Sequence, residues 1–534
     1  MICLLSKIFK KIDYSIISKY IKINIYIIIM SLYAKDDIEL LSKNIDSINE
    51  KIERKQLEMY EPNDNERKKI TTIILDFIKT NKRKIYGGYA LNNLIIDKSV
   101  SEGFYKDYQT PDVDFYSPSP IEDLINLCNI LQKAGFKRVL GKEARHSDTY
   151  SIIVNFQLYC DISYVPRNIY NRMPFKEIKG LNYIHPFFMT IDYLRMITDP
   201  LASYWRIEKS LKRMVLLQKH YPLPKVDKPI QIMNNQVDLE KAVDLISNYL
   251  VDRKSTITIG FYAYDYFVNA SETKNKNVKP INIPYHEFIS TNYKGDFDEI
   301  NEILKKQFGE TRVTHKEFYP FFQFTGFSVE ILLDKEVIAV IYSHNKKCLP
   351  YQIVPALEFK NGKVNKTKGN ITLGSFSLTI LFAQIMTIKY RVNNDRTMTE
   401  VYMTIVSHLI QARAEYFKKN NKNIFDEDTL FRDFIVECIG EGIHPDREVG
   451  LRMEVRRKKN KKAYYMYDPE KDMKTADTTY TFSNMSGNEI KNDKNLQLVE
   501  FKIASELDVD LDQEPEPEVE LPSEEKSSVI APSD

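Results

Sequence analysis

The stretch from Tyr86 to Ser117 constrains this 534-residue chain more than any other. It holds Tyr86-Gly87-Gly88-Tyr89-Ala90-Leu91-Asn92 and then Pro111-Asp112-Val113-Asp114-Phe115-Tyr116-Ser117. A Gly-Gly turn follows a short apolar strand, Lys84-Ile85-Tyr86, and leads into a helix from Ala90 to Ile96. Glycine lets the backbone approach a ligand closely and leaves helix N-terminal N–H groups facing it, which suits a phosphate. Asp112 and Asp114 flank one apolar residue. On a strand, residues two apart point the same way, so both carboxylates face one side and Val113 faces the core. Two carboxylates aimed at one point repel unless a cation sits between them. That arrangement holds Mg²⁺ for phosphoryl transfer, usually with a third carboxylate.

The expected third acid is Asp161. The run from Ser151 to Cys160 reads as one buried strand, continued by Asp161-Ile162-Ser163. Taken singly, the pieces have bland readings: a turn, a solvated loop, a strand cap. Their order within one small domain is far more specific.

That order resembles the nucleotidyltransferase superfamily of DNA polymerase β type. The fuller wording, Tyr-Gly-Gly-Tyr-Ala-Leu-Asn and then Asp-Val-Asp-Phe-Tyr-Ser-Pro, is similar to the poly(A) polymerase catalytic subunits of nucleocytoplasmic large DNA viruses, the mimivirus-like branch in particular. The resemblance implies an α+β fold and a mixed sheet with flanking helices. It also implies template-independent addition of AMP from ATP to mRNA 3′ ends. Gly87 and Gly88 would cradle the triphosphate, with Tyr89 and Asn92 beside it. Asp112, Asp114 and Asp161 would bind two ions, Mg²⁺ or Mn²⁺. Implied partners are an RNA 3′ end and either a second copy of the chain or a viral processivity factor, in the virion and host-cell cytoplasm. Other terminal nucleotidyltransferases (uridylyl, CCA-adding, oligoadenylate synthase) and a non-catalytic RNA-binding subunit are the alternatives. Gly88 and Asp112 lie 24 positions apart, longer than the commonest spacing in the superfamily, and the insert from Ile95 to Thr110 reads as a polar, aromatic loop.

The rest of the chain divides by composition. Residues 1–34 are apolar with interspersed lysines, too short in apolar run for a membrane span. They read as an amphipathic surface helix or as sequence upstream of a true start at Met30. Residues 35–81 read as helices packing on the catalytic sheet, and 82–235 as the catalytic domain with a helical extension. There Arg206, Lys209 and Arg213 share a helix face that could meet triphosphate or RNA backbone, and Trp205 reads as core.

The second half copies the first. Gly87 to Gly260 and Asp112 to Tyr285 share one offset, 173 positions. The copy has Phe261 for Gly88 and Tyr285 for Asp112, and keeps Glu287 opposite Asp114. Asp334 falls at the same offset from Asp161. Residues 240–450 therefore read as a degenerate nucleotidyltransferase-like domain kept for structure, RNA contact or self-association, the alternative being an unrelated α+β domain. A basic, aromatic segment (451–505) follows, with Arg456, Arg457, Lys458 and Lys459 as RNA-contact candidates. The acidic, proline-dotted stretch 506–534 reads as disordered. Five scattered cysteines without any Cys-x-x-Cys pair point to a reducing compartment, no disulfides and no structural zinc.

Overall fold

A computed structural model describes residues 32–473, apart from 61, 233–236, 319, 323, 345–346, 361, 441, 443 and 459–463. The expectations for residues 1–31, Lys459 and the acidic stretch lie outside the described residues. Among those described, no helix is long and apolar enough to cross a membrane.

Two compact units divide at Lys69. The first contains α1 (Lys35–Met59) and the opening turns of α2 (Asp64–Thr80). Asn63 and Glu66 start α2 by exchanging hydrogen bonds, the Glu66 N–H to Asn63 Oδ1 at 3.1 Å and the Asn63 N–H to Glu66 Oε2 at 2.9 Å. α1 carries the apolar stripe read from the sequence, but none of its residues is buried. The burial expected of this stripe is not found.

The second unit holds two mixed sheets. The first is built from β1 (Lys84–Ile85), β2 (Phe115–Ser117), β3 (Val139–Glu143), β4 (Thr149–Val154), β5 (Gln157–Tyr164), β6 (Phe175–Ile178) and β7 (Leu181–Ile184). The helices α3 (Gly87–Lys98), α4 (Pro120–Lys133), α5 (Arg167–Arg172), α6 (Pro186–Ile197), α7 (Pro200–Ser203) and α8 (Ile207–His220) join or flank these strands. In the second sheet, β8 (Thr256–Ile259), β9 (His286–Ser290), β10 (Val313–Phe318), β11 (Ser328–Leu333), β12 (Glu336–Ser343), β13 (Leu349–Lys360) and β14 (Lys363–Gly374) alternate with α9 (Val237–Leu250), α10 (Gly260–Ser271) and α11 (Tyr293–Phe308). After them come α12 (Phe376–Val392), α13 (Arg396–Asn420), β15 (Cys438–Ile439), α14 (Pro445–Lys458), β16 (Met466–Tyr467) and α15 (Pro469–Asp472).

The strand orders are β16-β3-β4-β5-β2-β1-β7-β6 and β10-β11-β12-β9-β8-β14-β13-β15. Apart from the added edge strands β16 and β15, the second order repeats the first. The register repeats too. Ile85 faces Phe115 across an antiparallel pair, and Thr258 faces Phe288, each shifted by the same 173 positions. Even an ion pair to a buried aspartate recurs: Arg83 with Asp123 at 2.6 Å, and Arg253 with Asp296 at 3.0 Å. The sequence copy is therefore a fold copy.

Three details differ from the sequence reading. The run 151–163 is not one strand. It turns at Asn155 and Phe156, both with positive φ (+49° and +68°), into the hairpin β4–β5. Trp205 is half out in solvent, against Tyr204 in an edge-to-face pair 5.3 Å apart, not in the core. Cys348 and Cys438 form a disulfide, contrary to the expectation of none. Their 90-residue separation hid the pairing, which arises because β15 lies antiparallel to β13 with Cys438 opposite Pro350.

Candidate active site

The corner begins at the end of β1. Tyr86 is extended (φ −130°), and Gly87 then takes a left-handed φ of +73°, which turns the chain into α3. A methyl group on Gly87 would come within 2.6 Å of Asp114 Oδ2, so only glycine lets the carboxylate lie against the turn. The acids arrive from the adjacent segment. Asp112-Val113-Asp114 precedes β2 rather than lying within it, yet it is held in strand fashion. The Tyr86 N–H donates to the Asp114 carbonyl and the Val113 N–H to the Tyr159 carbonyl, each at 2.9 Å. Val113 is fully buried, Asp112 exposed and Asp114 half-buried, the alternation expected from the sequence.

Asp161 lies inside β5, next to the Phe115–Ile162 pairing with β2. Its Oδ1 accepts from Ser151 Oγ at 2.6 Å. Ser151 is its cross-strand partner on β4. Sequence reasoning missed that serine because it missed the hairpin. Burial pushes the Asp114 carboxyl well above its ordinary range, and the negative charges of Asp112 and Asp161 push it further. Burial also raises Asp161, against the pull of Ser151. Asp114 Oδ1 is buried with no hydrogen-bond partner.

Among the described residues, no three acid, histidine or thiol groups stand close enough to enclose a cation as they are. The donor set nevertheless fits a divalent ion. Three oxygen ligands from neighbouring strands repel one another, and one buried oxygen is orphaned. A cation would relieve both costs.

The remaining candidates sort clearly. Gly88 faces the hydroxyl of Tyr105 and the guanidinium of Arg213. Lys209 and Arg213 lie on α8, with Lys209 close enough to Asp112 to feel its charge, whereas Arg206 falls in the single turn that precedes α8. Tyr89 packs on the core, where it bears on Tyr183. Asn92 is buried and bonded to the insert, not open to a nucleotide. Arg456 is 9% exposed and donates to Glu143 on β3 at 2.7 Å, so it is closed to RNA, while Arg457 and Lys458 are exposed.

Comparison with known proteins gives the family. Residues 72–203 match the poly(A) polymerase catalytic subunit family, and residues 215–500 match the C-terminal part of the mimivirus enzyme's catalytic subunit. A protein of Acanthamoeba polyphaga mimivirus named as a poly(A) polymerase catalytic subunit is 34% identical over 87% of this chain and 84% of its own length. The chain belongs to the viral poly(A) polymerase catalytic subunit family. Within that family, a protein of the same name from African swine fever virus is 32% identical over 29% of this chain and 33% of its own length. The crystal structure of the Megavirus polyadenylate synthase superposes with a TM-score of 0.78 at 34% identity, covering 86% of this chain and 92% of that one.

The second domain of this poly(A) polymerase subunit repeats the corner without its chemistry. Gly260 has φ +62° and abuts Glu287, the counterpart of Asp114. Phe261 and Tyr285 fill the places of Gly88 and Asp112, their rings 5.1 Å apart. Tyr402 donates to Glu287 Oε2 at 2.8 Å. The third acid has no counterpart. Ile162 opposite Phe115 corresponds to Ile341 opposite Phe288, which puts Val340, not Asp334, in the place of Asp161. Asp334 sits in the β11–β12 turn, paired with Arg312.

Proposed function

We propose that this poly(A) polymerase transfers AMP from ATP to RNA 3′ ends, without a template, at the corner formed by Gly87, Asp112, Asp114 and Asp161. The observation that carries this reading is Asp114 Oδ1, a buried carboxylate oxygen with no partner beside two further acids. Asp112, Asp114 and Asp161 would hold divalent metal, Mg²⁺ or Mn²⁺. When bound, such ions lower the pKa of a 3′-hydroxyl and neutralise the departing pyrophosphate.

The chain's own residues work by position. The first N–H groups of α3, which begins at Gly87, have no partner within the helix and would offer hydrogen bonds to phosphate oxygens. Lys209 and Arg213 on α8, with Arg206 in the turn before it, would supply positive charge to the phosphates. Ser151 fixes one oxygen of Asp161 and so orients the other. Phosphoryl transfer asks little more of a protein than positioning and charge compensation.

The test is incubation of the purified full chain with an RNA oligonucleotide and each labelled nucleoside triphosphate in turn. A ladder with ATP, dependent on divalent cation, is expected. The Asp112→Asn/Asp114→Asn variant should give none and should lose Mn²⁺ binding by electron paramagnetic resonance, while its melting curve stays cooperative. Tailing by that variant would sink the assignment. A ladder from UTP or CTP instead would move the protein to a different nucleotide specificity.

A further inference from the structure

The insert between α3 and β2 is the part of the catalytic domain that the acid–glycine corner leaves unexplained, and it is held from three sides. Asn92, buried on α3, accepts through Oδ1 from the backbone N–H of Phe104 at 2.8 Å and of Tyr105 at 3.2 Å. Glu102 shares a 2.7 Å hydrogen bond with His220 and is paired with Lys219, both at the end of α8. The Arg213 guanidinium, also on α8, lies 4.6 Å from the centre of the Phe104 ring and 6.0 Å from that of Tyr105. The insert is therefore a fixed strap from α3 to α8.

What this strap delivers is the Tyr105 hydroxyl. A methyl group on Gly88 would lie 2.4 Å from that oxygen and 3.2 Å from Arg213 Nη1. The hydroxyl and the guanidinium together face the second residue of α3, in the space the glycine leaves open. Tyr105 has the Arg213 guanidinium on one side and feels the charges of Asp112 and Asp114 on the other. A phenol there can donate to an anionic oxygen while its ring stays beside the arginine.

The second domain supplies an internal comparison. Asp265 stands 173 positions from Asn92, and its Oδ1 accepts from the Ile281 N–H at 2.8 Å, so it pins the segment after α10 in the same way. The clamp is thus common to both copies. In the second copy, however, Phe261 closes the space before the helix. Glycine, phenol and guanidinium come together only in the copy that keeps the acids.

We propose that Tyr105, positioned by Asn92, binds the triphosphate of the incoming nucleoside triphosphate jointly with Arg213, and that the long insert exists to bring it there. This rests on the reading of the glycine corner as the nucleotide site. Tyr105 recognises phosphate rather than base, and Asn92 acts through it as a positioning residue.

The experiment is equilibrium titration of the full chain, with Mg²⁺, against ATP, AMP and inorganic tripolyphosphate. Tyr105→Phe keeps the ring on Arg213 and the backbone bonds to Asn92, so the melting temperature should not change. It should weaken ATP and tripolyphosphate about tenfold, as loss of a hydrogen bond to a charged group does. AMP affinity should stay within about twofold, and in tailing assays KM for ATP should rise while KM for RNA does not. Asn92→Ala should weaken ATP as well, and adding Tyr105→Phe to it should change ATP affinity by no more than about twofold, because the two act as one unit. Unchanged ATP affinity in Tyr105→Phe, or an equal loss for AMP, would overturn the role of Tyr105 while leaving the nucleotide site standing. A wild-type chain that binds neither ATP nor tripolyphosphate would overturn the site and this proposal together.

Discussion

Gly260 stands to Glu287 as Gly87 stands to Asp114. A methyl group on the first would come 1.9 Å from a carboxylate oxygen, and on the second 2.6 Å, and both glycines hold a positive φ. The consequences of substitution should differ. Glu287 is enclosed and bonded to Tyr402, so it cannot retreat. Gly260→Ala should therefore cost more than ~2 kcal/mol through strain and overpacking together, read as a lower urea midpoint. Asp114 has an oxygen without a hydrogen-bond partner and is only half-buried. Gly87→Ala should cost less stability but displace the carboxylate, so tailing should fall while the chain stays folded.

Asp114 makes a second, sharper case. Its carboxyl is pushed up by burial and then by Asp112 and Asp161. A carboxyl raised in the folded state contributes stability at low pH that is lost as pH rises. At neutral pH the three acids therefore strain the metal-free fold. Asp114→Asn removes the charge and should raise the melting temperature at neutral pH while abolishing tailing. Added Mg²⁺ or Mn²⁺ should raise the melting temperature of the wild type and not that of the variant. A variant that melts below wild type without metal would contradict this account.

In the second domain the same position has become a buried polar knot. Glu287 is pushed up to about 7, first by burial, with Tyr402, Lys389 and Tyr342 pulling the other way. Tyr285 and Tyr390 complete the surrounding groups. The sign follows from the raised value. The contribution is fully present below the unfolded value of 4.5 and is lost as pH rises through about 7. The size is on the order of 3 kcal/mol across that window. Urea midpoints measured at intervals over this range should fall with rising pH, and Glu287→Gln should flatten the slope.

Much of this was legible in the sequence where local chemistry is decisive. A Gly-Gly before a helix and an acid pair around Val113 locate the corner, since both depend on backbone conformation and strand alternation alone. The fixed offset from Gly87 to Gly260 exposed the duplicated fold, because the register of β1–β2 and β8–β9 repeats with it. Asp161 falls beside the acid pair as read, but its Ser151 partner was missed, because Asn155-Phe156, a turn without glycine in a mostly apolar run, reads as part of one strand. Asp334 falls at the constant offset from Asp161, but insertions break that offset, and sheet register points to Val340. The Cys348–Cys438 bond and the roles of Asn92, Tyr105 and Arg456 depend on contacts between distant segments. No spacing rule reaches those.

Arg456 shows what such a contact does. After α14 the chain returns to the first sheet, where β16 pairs with β3 through Met466–Lys142 and Tyr467–Gly141. Arg456 and Arg452 both approach the buried Glu143, at 2.7 Å and 3.9 Å. The Tyr464 hydroxyl donates to the Glu143 carbonyl, and Tyr465 packs edge-to-face on Tyr150, their centres 5.9 Å apart. Removing the nearer arginine leaves the buried Glu143 less well compensated, with Arg452 farther off, at a cost below the roughly 3–5 kcal/mol of a buried pair that loses its whole partner. Arg456→Ala should therefore lower the unfolding midpoint markedly and leave the salt dependence of RNA binding unchanged, since no phosphate contact is lost. Arg457→Ala, on the exposed side of the same helix, should leave the midpoint alone. A reduced salt slope in Arg456→Ala, measured by oligonucleotide titration at several ionic strengths, would mean that this arginine reaches RNA after all.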